Sequence, residues 1–108
     1  ERKATRLRTM CGDARLVPAL ISLLGHRTLK AHARAALVSL GEDVVDALAY
    51  FLMDQSEHVW VRRHVPATLA AIPCAASMRA LVSALADPDG FLRYKIIESI
   101  QKAHQFAK

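Results

Sequence analysis

Aromatic residues make up only 6% of the 108-residue chain, Gly and Pro number four each, and there are two cysteines. So little Gly and Pro excludes collagen-like and low-complexity classes. Cys11 and Cys74 are too few for a disulfide scaffold and are expected to be reduced, buried hydrophobes. No apolar run reaches the roughly 18 residues of a membrane span, and the chain opens Glu-Arg-Lys with no initiator Met or signal segment. A piece of a longer protein is therefore expected. No Gly-rich phosphate loop, GxSxG elbow or paired-carboxylate arrangement occurs, so nothing points to an enzyme. His26, His32, His58, His64 and His104 never fall four residues apart, and no Cys lies near two of them. Neither a metal nor another cofactor is expected.

What is abundant is apolar: 53% of residues are hydrophobic, which excludes intrinsic disorder and suits one domain of ordinary size. The net charge of +5 is unevenly placed. Arg2, Lys3, Arg6, Arg8, Arg15, Arg27, Lys30 and Arg34 face only Glu1 and Asp13 within residues 1–34, so this third carries +6 and the rest −1. A uniformly basic nucleic-acid binder would look different.

The apolar residues repeat. Ala19-Leu-Ile-Ser-Leu-Leu24, Ala47-Leu-Ala-Tyr-Phe-Leu52 and Ala80-Leu-Val-Ser-Ala-Leu85 place Ala, Leu and a final Leu alike. Each is followed by an apolar–basic pair: Leu29-Lys30, Val61-Arg62 and Leu92-Arg93. Apolar residues then fall three, seven and ten places after each basic one: Ala33, Leu37 and Leu40; Val65, Leu69 and Ile72; Ile96, Ile100 and Ala103. Steps of three and four keep one helical face apolar, where a strand would alternate. In the first set, Leu16, Leu20, Leu23 and Leu24 form one stripe and Val44, Leu48, Phe51 and Leu52 the next. Gly25, Gly41, Pro73 and Asp87-Pro-Asp-Gly90 fall where helices should stop. Each unit reads as helix, turn, helix. The division is a half unit at 1–12, then units at 13–41, 42–73 and 74–108. Pro66, inside the second helix of the middle unit, predicts a kink or a frayed turn near Arg62–Val65.

The segment Leu85-Ala-Asp-Pro-Asp-Gly-Phe-Leu-Arg93, followed by Ile96, Ile97 and Ile100, resembles a HEAT repeat of the short bacterial, PBS-lyase-like type. The middle unit matches through Asp54, Val61 and Arg62. The first departs from the pattern: Gly25 replaces the acid, Lys30 replaces the Arg, and the turn is four residues shorter. The resemblance implies an all-α fold, a right-handed α-α superhelix of about three and a half helix pairs. Such pairs bury their apolar faces only by stacking.

Function follows the same resemblance. It implies a non-catalytic scaffold that presents a curved helical surface to a protein partner, cytoplasmic and monomeric. It also implies that Arg62 and Arg93 pair with Asp54 and Asp87 in a ladder between units, an arrangement suited to the planar guanidinium. Second helices usually line the concave face of such arrays, which would gather Lys30, Arg34, Arg63 and Lys95 there. Arg34, Trp60, Arg63, His64, Tyr94 and Lys95 are the candidate contact residues. Trp60 has two readings, an interface anchor or packing between units. Two alternatives come from other classes. One is a basic surface for nucleic acid or phosphate, weakened by the scarcity of aromatics for base stacking. The other is a regulatory segment of a larger bacterial transporter-like protein, touching a membrane only through that parent. Val61-Arg-Arg-His-Val-Pro66 and the Asp87–Arg93 run resemble HEAT segments of such proteins.

Overall fold

Helices account for all the regular structure among the described residues, 16–107 of the computed structural model. The expected half unit at 1–12, with Cys11, lies outside them. Helix α1 (Leu16–Ser22) runs into a 3-10 turn, Leu23–Gly25, and is followed by α2 (Lys30–Leu40). A second 3-10 turn, Gly41–Val44, leads into α3 (Val45–Met53), followed by α4 (Val59–Ala70). Helix α5 (Ala75–Ser83), a 3-10 turn at Ala84–Ala86 and the long α6 (Gly90–Ala107) complete the chain.

Each boundary has a local cause. Gly41 ends α2 at φ +68°, a conformation costly for any residue with a Cβ. His58 caps α4, its Nδ1 accepting from the Trp60 N–H at 3.2 Å. Cys74 caps α5: it is half-buried, and its Sγ accepts from the Ser77 N–H at 3.4 Å. The thiol expected to serve as a buried hydrophobe thus occupies a place usually held by Ser or Asp.

Apolar spacing decides which face of each helix turns inward. Leu92, Ile96, Ser99 and Ala103 of α6 are buried, as are Val61, Val65 and Leu69 of α4 and Val45, Leu48 and Leu52 of α3. In α1 the buried residues are Val17 and Ile21; of the expected stripe through Leu16, Leu20, Leu23 and Leu24, only Leu24, in the following turn, is fully buried. That helix is apolar nearly all round, so periodicity alone cannot set its phase. Helix α1 packs on α3 and α3 on α5; α2 packs on α4, and α4 most extensively on α6. The members of each pair, α1–α2, α3–α4 and α5–α6, also touch. One apolar cluster runs through all three pairs, from Ile21 and Leu24 through Leu48 and Leu69 to Leu81 and Ile96.

Two close approaches shape the centre. A Cβ on Gly25 would lie 2.9 Å from Val61 Cγ2, so only glycine lets the first turn press this closely against α4. Helix α4 also runs unbroken through Pro66, and the expected frayed turn is not there. A proline inside a helix costs about 3 kcal/mol. Here the ring is buried in a helix held by neighbours on several sides, and packing offsets that cost.

Leu48 is fully buried, and Val82 is half exposed. Leu48→Ala should lower the unfolding free energy by about 2–5 kcal/mol. Val82→Ala should lower it by less than about 1 kcal/mol. Urea titrations of both variants check the contrast.

Candidate functional site

The turns between helices carry the polar chemistry that positions the surface. The Arg62 side chain is buried and extends from α4 to the end of α3, where Nε and Nη2 donate to the Leu52 carbonyl at 3.1 and 2.7 Å. The same Nη2 pairs with Asp87 Oδ2 in the α5–α6 turn. Asp87 also accepts from Gln55 Nε2 and from the Asp89 N–H, both at 2.9 Å. Burial alone would push the Asp87 carboxyl up. The Asp89 N–H, the Gln55 amide and the Arg62 guanidinium outweigh it and hold the group below the usual carboxylate range.

Of the four expected ladder residues, only Arg62 and Asp87 form an ion pair. Asp54 folds back on its own turn, Oδ1 accepting from the Ser56 N–H at 3.0 Å and from Ser56 Oγ at 2.6 Å. Those bonds hold its carboxyl below the ordinary value. Arg93 meets no carboxylate among the described residues; its Nη1 donates to the Asp87 backbone carbonyl at 2.6 Å. The ladder is one rung, linking the second helix of the middle pair to the turn of the next.

The stacking of α2, α4 and α6 brings the six candidate contact residues into one neighbourhood. Arg34 crosses from α2 to α4, Nε donating to Thr68 Oγ1 at 3.2 Å, and burial lowers its pKa. Trp60 is 54% exposed, so it is not packed away between units. The Arg63 guanidinium carbon sits 5.6 Å from the Trp60 ring centre and 4.7 Å from that of Phe91. Arg63 also grips Asp89 through two bonds of 3.0 and 3.2 Å, and this pairing pulls the Asp89 carboxyl down. Tyr94 is exposed beside Phe91, with ring centres 6.4 Å apart, and Lys95 reaches Phe91 and pairs with Glu98 at 3.3 Å.

His64 is half-buried among cations. Burial, then Lys30, Arg34 and Lys95, push its pKa down, so the imidazole favours its neutral form. Beside it, Gly25, Arg27, Lys30, Trp60 and His64 line an open cavity of about 350 Å³.

No family model matches the chain, and no curated protein or solved structure matches it either.

Several members of this surface were not among the expected residues. Phe91 follows the Asp87–Gly90 turn, is half exposed and meets both Arg63 and Lys95. Asp89 and Gln55 lie in turns whose path sets their partners. Arg27 was visible only as part of the basic first third. Among the described residues, no group of three or more His, Cys, Asp or Glu is placed to hold a metal ion.

Breaking one side of a buried ion pair strands the other charge, so Arg62→Ala should cost about 3–5 kcal/mol. Arg93→Ala should cost less, because its exposed guanidinium serves one backbone carbonyl. Since the folded-state pKa of Asp87 is depressed, its contribution is complete above the unfolded value of about 3.9 and is lost as pH falls through the lower folded one. Acid unfolding of wild type against Asp87→Asn, followed by circular dichroism, should show a shallower pH dependence in the variant.

Proposed function

We propose that the chain is a non-catalytic interaction module. It is built as a short right-handed solenoid of HEAT-type helix pairs, and its second-helix face receives a segment of a partner protein. Two features support the architecture: the packing order α1–α3–α5 beside α2–α4–α6, and the recurrence of equivalent apolar positions in each pair. The observation that carries the function is the exposed group of Trp60, Phe91 and Tyr94 held among Arg63, Lys95 and His64. Large rings at a surface, with Arg among them, have the composition of interface anchors.

The chemistry of the face favours protein over nucleic acid. Asp89 and Glu98 are interleaved with Arg63 and Lys95 and neutralise them in part. Those carboxylates would repel a phosphate backbone, whereas a peptide with both acidic and apolar side chains satisfies rings and cations together. No helix among the described residues is long and apolar enough to cross a membrane. The proposed setting is cytoplasmic, whether the parent chain is free or attached to a membrane protein.

Peptides selected by phage display on the folded chain should be acidic with apolar or aromatic neighbours. Trp60→Ala and Tyr94→Ala should each weaken them about tenfold or more while leaving the melting temperature nearly unchanged, since both side chains are exposed. Failure to select any peptide, together with tight and steeply salt-dependent binding of a single-stranded oligonucleotide, would replace this reading with the nucleic-acid one.

A further inference from the structure

The cations on this face are not equally satisfied. Arg62, Arg63 and Lys95 each have a carboxylate, but among the described residues none pairs with Arg27, Lys30 or Arg34. For Lys30 the difference traces to Asp54. In the third unit the acid that ends the first helix, Asp87, neutralises Arg62. The corresponding place in the first unit is Gly25, where a Cβ would meet Val61 Cγ2 at 2.9 Å and something would have to shift. Lys30 takes the place that Arg62 has in the middle unit. The acid that would meet it by the same rule is Asp54, whose carboxylate is committed to Ser56. Among the described residues Lys30 therefore has no carboxylate where Arg62 has Asp87, and a corner of positive charge remains.

That corner is also hollow. The cavity of about 350 Å³ has the Gly25 backbone and the Trp60 ring on its walls, with Arg27, Lys30 and His64 supplying its polar groups. The charged groups that act on His64 from the packed helices are Lys30 and Arg34 of α2 and Lys95 of α6, all positive. On its own helix the adjacent Arg63 is held by Asp89.

We propose that this cavity is an oxyanion subsite for an acidic side chain, carboxylate or phosphorylated, on the partner protein's segment. The inference rests on the interaction-module reading and assigns one of its contacts. Arg27 and Lys30 supply the charge, and the indole of Trp60 packs against the stem that carries the anion. An anion here also counters the cation repulsion that adds to burial in keeping His64 neutral. Binding therefore raises the His64 pKa and takes up a proton, so affinity increases as pH falls through the region where the occupied site titrates.

Trp60 is the sole tryptophan of the chain, so its fluorescence reports on this cavity directly. The probes are an acetylated Glu-containing peptide taken from the selection, the same peptide with phosphoserine at the Glu position, and oligothymidylate. Both peptides should alter Trp60 emission and move the His64 imidazole titration, followed by NMR, to higher pH. The tighter of the two identifies the source of the oxyanion. Arg27→Ala/Lys30→Ala should weaken them by about tenfold or more without lowering the melting temperature. Peptides that need Tyr94 but bind the double variant as well as wild type would overturn the subsite and leave the interaction module standing. A response to oligothymidylate alone would overturn both.

Discussion

Arg62 binds three pieces of the chain through one guanidinium. It reaches back to the Leu52 carbonyl at the end of α3 and forward to Asp87 in the turn between α5 and α6. Around Asp87 the backbone N–H of Asp89, the Gln55 amide and, at its own carbonyl, Arg93 complete the set. A charge so far from water is tolerable because a carboxylate and a backbone carbonyl meet it. Apolar packing is non-directional and would allow neighbouring pairs to slide or rotate. A forked, fixed-geometry bond allows one setting of α4 against the last pair. The contacts of Arg63 with Phe91 and Asp89 depend on that setting.

The first pair is joined to α4 differently. There the turn is short, Gly25 replaces the acid, and close backbone approach to Val61 does what an ion pair does further along. Arg34, bonded to Thr68, adds one polar tie between α2 and α4. Lys30 and Arg27 face a cavity with a depressed imidazole beside it. One face thus has two characters: a neutralised part with exposed rings over α4 and α6, and a basic corner over α2 and α4 whose cations pair with no carboxylate among the described residues.

Much of the helical architecture was legible because buried positions recur at fixed steps after each basic residue. Val65, Leu69 and Ile72 behave as expected, as do Ile96 and Ala103. The phase of α1 was not legible, since Leu16, Val17, Leu20, Ile21, Leu23 and Leu24 offer two competing stripes. Of the kink or frayed turn expected at Pro66, the fraying is absent because neighbours hold α4. In the site, the basic residues could be named from repeat positions. Phe91 could not, because an aromatic after a turn has the same pattern whether it faces inward or out. Asp54 and Asp87 occupy matching places yet bond differently. The first has a serine two residues on to accept from, and the second meets a guanidinium from another unit.

Composition and periodicity alone determined that the chain would fold as successive helix pairs, because apolar steps of three and four can be buried only by helices. They also located the turns, since Gly25, Gly41, Pro73 and the Asp87–Gly90 run interrupt helices by their backbone chemistry. Tertiary structure alone decided which charges are neutralised and which remain available. Ion pairing depends on distances between side chains from different units, so Asp54 and Asp87, alike in the repeat, differ in whether a cation reaches them.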